Sequence, residues 1–183
     1  SNAAEELIKL GVRDIAENRV DKLLEKKQAL TDYPQVRWHL IGNLQRRKVK
    51  LIINEIDYFH ALDSLRLAQE IQKRAEHKIN CFIEVNVSGE ESKQGIAPAE
   101  LQTFIEGLAE LDKLNIVGLM TMAPYEATQA DIRAIFANLK QLQVQMKELN
   151  LPYAPCTELS MGMSQDFSLA IEEGATFVRV GTA

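Results

Sequence analysis

The sequence predicts an α/β fold, a TIM-type (β/α)8 barrel that lacks its first strand. Three observations carry that expectation. Short β-rich runs alternate with amphipathic stretches along the chain, which implies a parallel sheet with right-handed crossovers. The runs are mostly continuous and apolar, as suits strands buried on both faces. No G-x-G-x-x-G turn follows an early strand, which disfavours an open doubly wound sheet.

Ser1-Asn2-Ala3 reads as the remnant of a cleaved tag, which leaves 4–183 as one domain. Residues 4–10 have helical composition and stop at Gly11, with no strand before them. A chain that starts in mid-helix is expected to be missing strand 1 of the barrel. The strands expected after it are 13–18 (RDIAEN), 36–42 (VRWHLIG), 58–63 (YFHALD), 80–87 (NCFIEVNV), 115–122 (NIVGLMTM), 156–160 (CTELS) and 176–181 (TFVRVG). Between them, 64–77 is a helix capped by Ser64, with Leu67, Ala68, Ile71 and Ala75 on one face. Pro98 suits the first turn of 98–111, whose stripe is Leu101, Phe104, Ile105, Leu108 and Leu111. The stretch 130–149 buries Ile132, Ile135, Phe136, Leu139, Leu142, Met146 and Leu149, and 165–173 ends at Gly174.

Composition excludes several classes of function. With 46% hydrophobic residues in 183, the chain can bury roughly 70% of its surface in one core. Its 26 acidic residues outnumber 21 basic ones without a block of either sign, so the footprint of broad nucleic-acid binding is absent. No run approaches the ~18 apolar residues of a membrane span. Cys81 and Cys156 are too few and too far apart for a disulfide framework or a zinc site. No metal is expected, and the chain reads as cytoplasmic.

Barrel enzymes work at the carboxyl ends of their strands, and phosphate commonly sits after strands 7 and 8. Counting the missing strand, 156–160 is the seventh and 176–181 the eighth. The seventh leads into Ser160-Met161-Gly162-Met163-Ser164, a small-residue turn opening a helix, whose N–H groups and hydroxyls suit an anion. After the eighth comes Gly181-Thr182. The plainer alternative makes these turn and cap residues, with Ser164 capping the helix through Asp166.

HLIGNLQRRK (39–48), HALDS (60–64), IEVNVSGEESKQGI (83–96), GLMTMAP (118–124) and LSMGMSQDFSLAIEEGATFVRVGTA (159–183) resemble the pyridoxal phosphate homeostasis protein family. These small proteins consist only of the barrel that alanine racemases carry at their amino terminus. The likeness runs from about Asp14 to Ala183, and LSMGMS with RVGTA is its most specific part. It implies a barrel holding pyridoxal 5′-phosphate as a Schiff base, with no second racemase domain. It also implies a role in vitamin B6 and amino-acid balance in place of an assigned reaction.

Carried over by position, Ser160, Ser164, Gly181 and Thr182 hold the phosphate, with Met161 and Gly162 in the same turn. Arg179 faces the pyridine nitrogen, Asn18 of an A-E-N segment sits near the ring hydroxyl, and His39 lines the ring pocket. Each has a structural alternative. Arg179 can pair with Glu84 or Glu158, Asn18 can cap a helix starting at Arg19, and His39 can be a hydrogen-bonded barrel histidine. The family's Schiff-base lysine closes its first strand in a VAVTK-like motif that has no counterpart here. No catalytic residue is therefore assigned; Lys48 and Lys93 fit helix and loop positions.

A guanidinium only donates, so a ring nitrogen facing Arg179 stays unprotonated and the ring is a weak electron sink. The expected function is a carrier of pyridoxal phosphate without turnover. The alternatives are a small amino-acid racemase, or a seven-strand remnant that binds no cofactor and associates through an exposed sheet edge. An intact barrel is expected to be monomeric, without nucleic-acid or membrane partners.

Overall fold

In the computed structural model, which describes residues 2–90 and 94–181, seven parallel strands form one sheet in strictly sequential order. The strands are β1 (Asp14–Glu17), β2 (Arg37–Leu40), β3 (Tyr58–Leu62), β4 (Ile79–Glu84), β5 (Leu114–Met120), β6 (Glu158–Met163) and β7 (Phe177–Arg179). The helices are α1 (Asn2–Lys9), α2 (Val20–Ala29), α3 (Val49–Ile52), α4 (Leu65–Arg74), α5 (Leu101–Glu106), α6 (Gln129–Lys147) and α7 (Phe167–Glu172).

All seven expected strands form. The sixth is displaced most: Cys156 sits in the left-handed region (φ 48°) and strand geometry starts only at Glu158. It then runs through Ser160, Met161, Gly162 and Met163, so most of the segment read as an anion-binding turn is strand. The capping chemistry is as expected. Ser64 accepts from the Leu67 amide at 3.1 Å at the start of α4, and Thr128 accepts from Asp131 at 3.1 Å on α6. Pro98 opens a 3-10 turn, Pro98–Glu100, so α5 starts three residues later than the sequence suggested. The four-residue α3 is too short to leave a periodic signature.

The sheet curls until its ends approach. Tyr58 on β3 and His39 on β2 lie 5.5 Å and 5.9 Å from the ring of Phe177 on β7. β1 and β7 end the sheet, and no ladder joins them among the described residues. Outside the sheet, the helices bury Leu23, Ile52, Ile71, Ile105 and Phe136 completely. Among the described residues, no helix is long and apolar enough to cross a membrane.

Candidate cofactor site

Side chains alternate across each strand, so β2, β3, β4, β6 and β7 send His39, Tyr58, His60, Phe82, Ser160, Phe177 and Arg179 to one interior. His39 stacks on Tyr58 with centroids 4.3 Å apart and planes 3° apart, and His60 stacks on Phe82 at 4.4 Å. Hydrogen bonds link the rings: His39 Nδ1 is 2.9 Å from His60 Nε2, and His60 Nδ1 is 2.7 Å from Ser160 Oγ. Arg179 donates to Ser160 Oγ at 3.3 Å and to the Thr121 carbonyl at 3.0 Å. At the far end, Asp14 accepts from His39 Nε2 and from Arg37, each at 2.8 Å.

Burial sets the charges. It lowers the pKa of His60 well below the usual range, with His39 and Arg179 adding to the effect, and lowers that of His39 against the pull of Asp14. Burial works to raise the Asp14 carboxyl, but hydrogen bonds from Arg37 and His39 outweigh it and hold the group below its ordinary value. Burial pushes Arg179 down to about 10, which leaves it a cation at neutral pH. Glu84, at the end of β4, is raised to about 7 by burial and by nearby Asp63, against the attraction of Arg179.

Two buried polar atoms have no partner among the described residues, Glu84 Oε1 and Arg179 Nε. Most buried polar atoms in folded proteins are paired, so these two stand out among the described residues. Glu84 and Thr121 also line a cavity of about 270 Å³ at the carboxyl ends of the strands, with Asn43, Asn86 and Gln94. Neither Glu84 nor Glu158 pairs with Arg179; the guanidinium takes a hydroxyl and a carbonyl instead.

Of the other expected residues, Ser164 and Gly181 come together. The Gly181 amide donates to Ser164 Oγ at 3.0 Å, and that hydroxyl donates to the Gly181 carbonyl at 3.2 Å. Ser160 does not join this cradle, because its buried hydroxyl serves His60 and Arg179. Met161 is in the hydrophobic core, on the opposite face of β6 from Ser160. Gly162, at φ 103°, leaves no room for a side chain: an added Cβ would lie 2.6 Å from that of Ala170. The Asp166 carboxylate accepts from the Met163 amide at 2.7 Å, so Ser164 is not the cap of α7.

Asn18 is exposed just past β1. The residue flanking α2 is Arg19, without a side-chain cap, and the Asn18 carbonyl would lie 2.1 Å from a Cβ at Gly42. Thr182 and Lys93 lie outside the described residues. None of the described lysines is buried. Burial pushes Cys81 and Cys156 up to about 12, so neither thiol ionises near neutrality. No metal-binding cluster occurs among the described residues.

Sequence reasoning missed His60 and the Tyr58–Phe82–Phe177 rings. The available signal was the period-two pair Tyr58 and His60 beside His39, a polar ring repeated on neighbouring strands.

The family profile described as "Alanine racemase, N-terminal domain" matches residues 1–183. A curated pyridoxal phosphate homeostasis protein of Aquifex aeolicus is 44% identical over 97% of this chain and 78% of its own length. The chain belongs to the pyridoxal phosphate homeostasis protein family. A Pseudomonas aeruginosa member is 39% identical over 94% of the chain and 74% of its own length. Among solved structures, PipY of Synechococcus elongatus with PLP bound superposes with a TM-score of 0.89. It is 34% identical over 98% of this chain and 84% of that one. Alanine racemase of Clostridium difficile shares the fold, with a TM-score of 0.79 at 18% identity over 98% of this chain and 46% of that one.

Proposed function

We propose that this protein binds pyridoxal 5′-phosphate at the carboxyl-terminal mouth of the barrel and carries it, serving vitamin B6 and amino-acid balance without turnover of its own. The observation that carries this reading is the buried, unpartnered Nε–H of Arg179 inside the barrel, in a fold that holds the same group in a relative. An aromatic ring nitrogen is the acceptor that a guanidinium N–H suits.

When bound, the cofactor supplies an aldehyde on an electron-withdrawing ring. Arg179 presents a donor and never gives up its proton at neutral pH, so the ring nitrogen stays unprotonated and carbanion chemistry is disfavoured. Ser164 and Gly181, with Thr182 next to Gly181 in the sequence, would hold the phosphate. Asn18 would stand near the ring hydroxyl, and His39 would support the pocket floor. The free cysteines Cys81 and Cys156 suit a reducing, cytoplasmic setting, with the protein working as a monomer.

The test is a titration of the purified protein with pyridoxal 5′-phosphate, followed by absorbance. A saturable spectral change that weakens in Arg179→Met is the expected result. No saturable change overturns the assignment, and sustained racemisation of L-alanine above the free-cofactor rate overturns the carrier role. Borohydride reduction followed by intact mass reports whether an amine of the chain holds the aldehyde.

A further inference from the structure

We propose that His60 is a positioning residue: a one-way chain of hydrogen bonds from Arg179 through Ser160, His60 and His39 to Asp14 aims the free Arg179 N–H at a pyridine nitrogen. The proposal takes the pyridoxal phosphate site described above as its starting point, and adds a residue remote from the mouth.

With both imidazoles neutral, the state that burial favours, the two ends fix the direction. A guanidinium can only donate, so Arg179 gives a hydrogen to Ser160 Oγ. An ionised carboxylate can only accept, so Asp14, paired with Arg37, takes one from His39 Nε2. A neutral His39 then has Nδ1 as an acceptor, and the hydrogen across the 2.9 Å gap comes from His60 Nε2. That leaves His60 Nδ1 as the acceptor for the Ser160 hydroxyl at 2.7 Å. Each intervening hydrogen has one place to go.

A second proton on His60 would make Nδ1 a donor, turn the Ser160 hydrogen away from it and reverse that link. The surroundings oppose that cation. His60 faces His39 on β2, Arg179 on β7 and the rings of Tyr58, Phe82 and Phe177, with Asp14 and Arg37 beyond His39. The result is a guanidinium anchored at both terminal nitrogens, to Ser160 and to the Thr121 carbonyl, with Nε–H left over. Without an acceptor at His60, the Ser160 hydrogen turns elsewhere, and nothing holds the hydroxyl's lone pair toward Arg179.

Two measurements test this. In ligand-free protein at neutral pH, imaging of the imidazole nitrogens by 15N NMR is expected to show His39 and His60 neutral, each with hydrogen on Nε2. A cation, or hydrogen on Nδ1 of either ring, overturns the proposal. The second compares affinity for pyridoxal 5′-phosphate with that for its carbocyclic analogue, in which CH replaces the ring nitrogen.

His60→Phe keeps an aromatic plate against Phe82 and removes both hydrogen bonds. It should erase a preference for the nitrogen ring of about tenfold, the scale of one charged hydrogen bond, while binding of the analogue stays put. His60→Asn returns an acceptor near the place of Nδ1 and should recover most of the preference. Should His60→Phe fail to fold, Ser160→Ala reports the same break from its other side. Full preference retained in these variants, or none in the wild type, overturns the proposal. A wild type that binds neither ligand sinks the site assignment instead, and the NMR result still judges the hydrogen-bond chain.

Discussion

The lower interior of the barrel and its carboxyl-terminal mouth treat polar atoms in opposite ways. Below, His39, His60 and Ser160 have every ring nitrogen and hydroxyl matched, and the rings stack on Tyr58 and Phe82. At the mouth, Glu84 Oε1 and Arg179 Nε are buried and unmatched. A matched, close-packed interior contributes stability, whereas an unmatched buried atom costs stability until something meets it. The floor is built to stay folded and the mouth to receive a ligand.

The comparison can be broken at either level. The largest effect belongs to the floor. Phe82 is fully buried between His60 and Phe177, so Phe82→Ala should cost about 3–5 kcal/mol in denaturant unfolding. A loss below about 1 kcal/mol would mean that the floor is not the packed part.

At the mouth the expected sign reverses. Glu84 titrates near 7 folded against an ordinary 4.5, so the folded protein holds the extra proton between those values. Its contribution is fully present below about pH 4.5, declines as pH rises through 7, and is flat above. Glu84→Gln removes that decline and should leave the variant up to about 3 kcal/mol more stable than wild type at pH 8. Parallel stability curves from pH 5 to 8 would contradict this.

Ser160→Ala, where floor and mouth meet, should cost about 1–3 kcal/mol by leaving the buried His60 Nδ1 unmatched, measured by urea unfolding. The smallest effect is expected at the surface. Arg133 pairs with Glu172 at 2.8 Å and Glu173 at 3.0 Å in solvent, and Arg133→Ala should cost less than about 1 kcal/mol. A larger loss in a thermal scan would show that α6 and α7 rely on charge more than on packing.

Local patterns made the strands, the Ser64 cap and the inward faces of α4 and α6 legible. Those signals lie within one turn or one strand, and the fold kept them. Arg179 was legible through the family likeness of RVGTA, the motif that it opens. His60 was harder to find. It meets His39 only because β2 and β3 pair with His39 opposite Tyr58, and Ser160 lies 100 residues away. Glu84 and Glu158 stand in the sequence only as alternative partners for Arg179, and geometry gives the guanidinium a hydroxyl and a carbonyl instead. The Ser160–Met163 segment looked like a turn because small residues mark turns; in β6 the small size of Gly162 serves close packing against α7 instead.

The sheet adds its strands in the order in which the chain is made. As the polypeptide leaves the ribosome, each new strand finds its neighbour already emerged, so ladder growth needs no search across long distances. The polar thread through the interior is different, since its last two members arrive at residues 160 and 179. A nascent chain can thus build most of its scaffold early, while the part that would seize a cofactor is completed only as synthesis reaches β7.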